Sequence, residues 1–312
     1  MAVDHDRIAS LRSYVDPDLG IKETFLQPNI GGGHTVGVLS TPLDATPTAG
    51  WVICHSFAHE HVYLQSMESA MARRLAATGY AVLRFHSQGY GDSELGTDHI
   101  TLGSHVDDAG EAAGVLAGAA GVARIGFAGI RLGGTVAALA ANGADAPGLM
   151  AVAPAVDGAD YVGWMTKQAR LTEVATGERS LSGDPIAELM TTGILDVLGF
   201  PLRREVYEEI RQLDLSERLR RFRGQALVLQ VSRGSDPDPD LRRLAERLRA
   251  VGARADLEVL ADPAAARLGL PRYRTSSDSR KEDVQAGLTE RVVAAVARWG
   301  AGRRWDDAGI PS

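Results

Sequence analysis

Two short stretches hold most of the side chains able to do chemistry. The first is His55-Ser56-Phe57-Ala58-His59-Glu60-His61, a polar loop with three imidazoles, a hydroxyl and a carboxylate. Imidazoles and carboxylates held in one loop can move protons near neutral pH. His59 or Glu60 could act as general base there, with His55 beside them and Ser56 as a weaker nucleophile candidate. The spacing His-x3-His-x-His on a loop is not a helical zinc motif, and neither a metal nor another cofactor is expected. The second stretch is Gly129-Ile130-Arg131-Leu132-Gly133. An apolar run, Ala123 to Phe127, precedes it, and a run of small residues, Thr135 to Ala141, follows. A strand, a glycine turn and a helix present the central side chain of the turn. That side chain is Arg131, a permanent cation with no lone pair to attack with.

Periodicity gives the elements that must position these groups. Thr24–Leu26 and His34–Ser40 read as a hairpin around Gly31-Gly32-Gly33, after a polar lead-in over residues 1–22. Trp51–Cys54 reads as a buried strand feeding the histidine loop. A helix over Tyr63–Ala77 follows, with Leu64, Met67, Met71 and Leu75 on one face. Tyr80–Phe85 is the next strand, leading into His86-Ser87-Gln88-Gly89-Tyr90-Gly91-Asp92-Ser93-Glu94. Asp92 and Ser93 are expected to bond that turn's backbone N–H groups. Strands at Leu149–Pro154, Gln225–Val231 and Ala255–Leu260 alternate with helices, the last over Glu282–Trp299. The pattern predicts an α/β protein, a doubly wound, mostly parallel sheet with a helical cap insertion. Residues 23–154 and 223–300 would form the core, 155–222 a cap without strands, and 301–312 a tail. The cap would cover the carboxyl ends of the strands, where such sheets bind ligands. Tyr161, Trp164, Met165 and Met190 could line an apolar pocket there.

Composition narrows the partners. The chain has 312 residues, a net charge of −7 and one cysteine, Cys54, so a basic nucleic-acid surface and a disulfide framework are both excluded. Cys54 reads as a core residue. The amino terminus lacks the apolar core of a signal peptide, and no run reaches the length of a membrane span. The expectation is a cytoplasmic protein with a small-molecule substrate or ligand and neither nucleic-acid nor membrane partners. An edge strand or the cap could support a homodimer.

The order and spacing of these features resemble the α/β-hydrolase superfamily. The hairpin start, the His55-Ser56 loop, the Gly89–Ser93 turn, the Gly129–Gly133 elbow and a late Gly234-Ser235-Asp236 carry the resemblance. A closer resemblance is to the hydrolase-like proteins named after exosortase A systems. Ser56-Phe57-Ala58-His59-Glu60 is similar to their Pro-Phe-Ala-Glu-Glu loop, and Gly129–Gly133 to their Gly-Leu-Arg-Leu-Gly elbow. Pro154–Gly158, Phe200–Leu202 and Ile210–Leu215 are similar to the ends of their cap. The superfamily resemblance implies a Ser, Asp, His order of catalytic groups. Here Arg131 stands at the nucleophile position and Asp236 at the acid position. All eight histidines lie at or before His105, so no base follows the last strand. The resemblance also implies an oxyanion hole from the backbone N–H groups of Leu132 and Phe57. Arg131 could contact a carboxylate, a phosphate or a developing enolate, or could pair with Glu60 or Asp236 and plug the site.

Three functions stay open on these residues. One is an atypical hydrolase-fold enzyme acting on a small carbonyl or carboxylate compound without a triad, as a lyase, isomerase, cyclase or water-activating hydrolase. It would use Arg131, His59, Glu60, His55, Ser56 and Asp236, with Phe57, Leu132, Tyr161 and Trp164 against the substrate. The second is a catalytically silent binding protein. The third is an esterase using Ser56.

Overall fold

The computed structural model of the chain describes residues 12–176, 184–269, 279–301 and 305. It opens with β1 (Ser13–Asp16) and β2 (Ile21–Leu26), a two-residue ladder of β3 (Asn29–Ile30) with β4 (Gly33–His34), and β5 (Gly37–Pro42). Then come β6 (Ala49–Cys54), α1 (His59–Ala77), β7 (Ala81–Phe85), α2 (Leu102–Ala120), β8 (Arg124–Ile130), α3 (Leu132–Ala144) and β9 (Gly148–Val152). The insertion carries α4 (Gly158–Thr176), α5 (Pro185–Thr192), β10 (Ile194–Val197), β11 (Phe200–Arg203), α6 (Arg204–Arg211) and α7 (Leu215–Arg218). β12 (Gln225–Ser232), α8 (Pro239–Ala250), β13 (Arg254–Ala261) and α9 (Ser279–Ala301) complete the chain.

Among the described residues one sheet of nine strands has the order β1-β2-β5-β7-β6-β8-β9-β12-β13. From β7 to β13 neighbouring strands are parallel, and β1, β2 and β5 add an antiparallel edge. Every residue of β6 and β9 is buried, as expected for strands covered on both faces. One face packs Val52, Leu83, Phe127 and Val228 against α2, α3 and α8. The other packs Trp51, Ile53, Met150 and Leu227 against Leu64, Met71 and Leu75 of α1 and Val292 and Val296 of α9. Cys54 is buried within the first cluster, and desolvation pushes its thiol up, so it behaves as core. Strand order reverses at β6, whose neighbours are β7 on one side and β8 on the other. A crevice at the carboxyl ends of β6 and β8 follows from that reversal.

Three expectations are corrected. The sheet begins at Ser13, inside the supposed lead-in, where β1 pairs with β2. β1 is an edge strand with mostly exposed side chains, so backbone pairing holds it and no apolar alternation marks it. The insertion over 155–222 contains strands: β10 and β11 form a hairpin through Leu198 and Gly199, both at positive φ (57° and 83°). Two positive-φ central residues make the tight primed turn, and leucine is an unusual first residue for it, which hid the hairpin. Finally, α1 starts at His59 rather than Tyr63, so His59, Glu60 and His61 form its first turn and do not belong to a loop.

Candidate active site

β8 runs straight into the turn that presents Arg131. The residue adopts φ 55° and ψ −128°, a strained backbone for a side chain with Cβ. The flanking glycines are required by close backbone approach. A Cβ on Gly129 would lie 2.2 Å from the Gly133 carbonyl oxygen, and one on Gly133 would lie 2.4 Å from that of Cys54. Ala58, which precedes α1 after β6, repeats the strain at φ 50° and ψ −136°. The two turns are tied together, because the Ser56 hydroxyl donates to the Ile130 carbonyl at 2.8 Å.

Glu60 is the centre of the crevice. It is fully buried, and its Oε1 accepts from Arg131 Nε at 2.9 Å. Its Oε2 accepts from the Tyr161 hydroxyl at 2.7 Å. Burial raises the Glu60 pKa, with the Arg131 cation and the two hydrogen bonds pulling it back. Burial also opposes charge on Arg131, but the Glu60 carboxylate outweighs it and raises the guanidinium pKa. Tyr161 is pushed well up by burial and by Glu60, so it stays a phenol that donates. The Arg131 guanidinium also lies 4.3 Å from the Trp164 ring centroid and 5.7 Å from that of Tyr161, in cation–π geometry. The ion pair with Glu60 is therefore the arrangement present, and it is made through Nε. Among the described residues the terminal nitrogens of Arg131 meet no acceptor.

A cavity of about 310 Å³ opens beside this network, and Arg131, Tyr161 and Trp164 line it together with the ends of β9 and β12 and the starts of α4 and α8. His59 does not line it, but its ring stacks 6.5 Å from that of Trp164, which does. Only 4% of His59 is exposed, and neither ring nitrogen has a hydrogen-bond partner among the described residues. Burial, with the Arg131 charge adding to it, pushes the His59 pKa down to about 4, so the imidazole is neutral at physiological pH.

Several predicted site residues lie elsewhere. His55 is structural: its Nδ1–H donates to the Ser56 carbonyl at 2.8 Å while Nε2 accepts from the Ser87 N–H at 3.1 Å. Ser56 is fully buried with its hydroxyl on a main-chain carbonyl, which removes it as a nucleophile. Treatment with a fluorophosphonate is accordingly expected to add no mass to the protein in intact-mass spectra; an adduct on Ser56 would contradict this. Asp236 is exposed and, among the described residues, offers only its carbonyl, to Gln230 Nε2, so it neither anchors Arg131 nor caps a helix. Asp238 caps α8 instead. The Phe57 ring packs among Tyr90, His105 and Phe200, in the core and away from the cavity. Leu132 is buried at the start of α3. The N–H groups of Phe57 and Leu132 make no hydrogen bond with another described residue. In the insertion, Met165 is fully buried and Met190 is 38% exposed, and neither lines the cavity.

Two supporting residues escaped the sequence reading. Glu68 accepts from the Ser56 N–H at 3.0 Å, with the Ser56 hydroxyl oxygen 3.2 Å away, and burial pushes its pKa up to about 7. A carboxylate on the same helical stripe as Leu64, Met71 and Leu75 was the available signal. Gln88 holds the glycine turn: it donates to the carbonyls of Ile30 and Gly33 and accepts from the Leu95 N–H. That is the role expected of Asp92 and Ser93. Instead Asp92 gives its N–H to His86, and Ser93 donates to the Leu95 carbonyl.

No family model matches the chain. No curated protein matches it either. Solved structures do. Est1E from Butyrivibrio proteoclasticus superposes with a TM-score of 0.55 at 16% identity, over 89% of this chain and 96% of its own. An esterase from Pyrococcus furiosus gives 0.56 at 14% identity, over 91% and 94%. A hyperthermophilic esterase from the archaeon Pyrobaculum calidifontis gives 0.53 at 19% identity, over 89% and 86%. At such identities the likeness speaks for architecture, and the chemistry has to come from the residues in place. With its nine-stranded sheet, its strained elbow after β8 and these neighbours, the chain has the α/β-hydrolase fold.

Proposed function

We propose that this protein is a hydrolase-fold enzyme that acts on a small carbonyl or carboxylate compound by proton transfer, without an acyl-serine intermediate. One observation carries the reading. Among the described residues Arg131 is held on its strained elbow by Glu60 through Nε alone, and it lines the cavity with its terminal nitrogens uncommitted. Those nitrogens can take a carboxylate in a fork of two bonds. Negative charge developing on a carbonyl oxygen would be met by the N–H of Leu132, at the amino end of α3, and by that of Phe57, in the turn before α1, once the substrate reaches past the cavity lining to these buried residues. As base we assign His59, which is neutral and has no hydrogen-bond partner among the described residues; it is buried and stacks on Trp164, so a substrate proton reaches it only when that ring moves aside. Lyase, isomerase and cyclase steps, and attack by an activated water, all fit that set of groups. Est1E, one of the similar structures, has been solved with ferulic acid bound.

The test is turnover of a soluble metabolite extract, followed by mass spectrometry. Arg131→Ala and His59→Ala are each expected to slow the responsible reaction by about 100-fold or more. Full turnover in both variants would refute the reading. A second reading, a silent binding protein, is favoured by the saturation of Glu60, whose two oxygens are both bonded and wholly buried. Binding of an extract component that depends on Arg131, with no product formed, would establish that reading instead.

A further inference from the structure

Arg131 is not the only charge on the cavity. Asp157, Asp160, Asp238 and Asp240 also line it. Three of these have structural work. Asp157 accepts from the Asp160 N–H at the start of α4. Asp238 accepts from the N–H groups of Asp240 and Leu241 as the cap of α8. Asp240 lies 3.5 Å from Arg243. Asp160 is different: it is exposed at the rim, and no described residue bonds or pairs with its carboxylate. It sits four residues before Trp164 on α4, hence on the same helix face, about 6 Å along it. Trp164 is the ring that carries the Arg131 guanidinium.

The charge balance then constrains the ligand. The Arg131 cation is already compensated by the buried Glu60 carboxylate. A ligand bearing only a carboxylate would bring a further negative charge into a cavity edged by four aspartates, and like charges repel. A ligand bearing only an ammonium group would leave the terminal nitrogens of Arg131 unmatched. We propose that the ligand is a zwitterion of amino-acid size, with its carboxylate on Arg131, its ammonium on Asp160 and its carbon chain against Trp164 and Tyr161. A volume of about 310 Å³ suits a molecule of that size. The inference rests on the reading of Arg131 as the ligand contact, and it makes Asp160 the residue that sets specificity.

Calorimetric titration at pH 7.5 can separate the two claims. The zwitterionic probes are L-leucine and 4-aminobutanoate. Their singly charged counterparts are 4-methylpentanoate and 3-methylbutylamine for the first, butanoate and butylamine for the second. At least one zwitterion is expected to bind about tenfold or more tighter than both of its counterparts, in line with one charged contact. Asp160→Asn is expected to bring that zwitterion down to the level of its carboxylate counterpart, while Arg131→Ala abolishes binding of both. If the carboxylates bind as tightly as the zwitterions, the inference fails and the carboxylate reading of Arg131 stands. If an amine alone binds as tightly, or if no probe binds at millimolar concentration, the inference fails. Tight binding of an amine that survives Arg131→Ala would also overturn the role given to Arg131. Thermal melts of both variants confirm that they are folded.

Discussion

Glu60→Ala is expected to lower the free energy of unfolding by about 3–5 kcal/mol, the range seen when one partner of a buried ion pair is removed. The reason is geometric. Glu60 is wholly buried, and its loss strands the Arg131 guanidinium and the Tyr161 hydroxyl together, because each bonds one of its two oxygens. Leaving buried donors unmatched costs more than the net worth of the bonds. Glu60→Gln is the informative comparison. Its amide oxygen can still accept from Tyr161, so its loss should be smaller than that of the alanine variant. Urea unfolding midpoints of the three proteins at pH 7.5 measure the difference. An alanine variant within about 1 kcal/mol of the unsubstituted protein would show that the pair contributes little to stability.

Acid should unfold the protein well before its carboxylates are fully protonated. Around Tyr90 the rings of His55, His61 and His105 pack with centroids 4.5 to 5.5 Å apart, and His86 lies 5.2 Å from His61. Burial drives His61 and His105 down to about 4, as it does His59. It also drives His55 well below its ordinary value and lowers His86, with the neighbouring imidazoles adding to the effect on His55. In the unfolded chain these groups take protons near pH 6.5. Between about pH 6.5 and 4 the unfolded state therefore binds more protons than the folded one. The stability contributed by neutral imidazoles is fully present above pH 6.5 and is lost as pH falls through that window. Each of the three imidazoles driven down to about 4 contributes about 3 kcal/mol across it.

Glu68 and Glu60 work the other way. Their folded pKa values are raised, so acidification favours the fold as they take up protons. The imidazoles outnumber them, and a net loss on the order of 5 kcal/mol between pH 7.5 and 4.5 is expected. Denaturant midpoints across that range provide the check, with His105→Phe expected to flatten the profile. A midpoint that does not move with pH would contradict the account.

The strands and the elbow were legible because they are local. Val52, Phe127 and Leu149 sit in short apolar runs bounded by turn residues, and such runs are buried whatever lies around them. Gly129 and Gly133 announce a turn in which two backbones touch, and Arg131 between them is a side chain with no lone pair to attack with. The absence of any histidine after His105 is equally a fact of the chain.

Which polar residues meet was not legible. His55, Ser56, His59 and Glu60 are adjacent in sequence, yet the strained backbone at Ala58 parts them. His55 and Ser56 turn to Ser87, Glu68 and Ile130, while His59 and Glu60 enter the first turn of α1 beside Trp164 and Arg131. Successive residues across such a bend point in different directions, so proximity in sequence says little about a shared site. The partner of Arg131 was decided in the same way. Asp236 and Glu60 were equal candidates by charge, and only the start of α1 at His59 brings one of them, 71 residues away, within hydrogen-bond reach. The chain's residue types determined what chemistry is excluded, because charge and lone pairs belong to a side chain wherever it is placed. Tertiary structure decided which groups act together, because burial, pairing and pKa depend on neighbours that folding brings from distant positions.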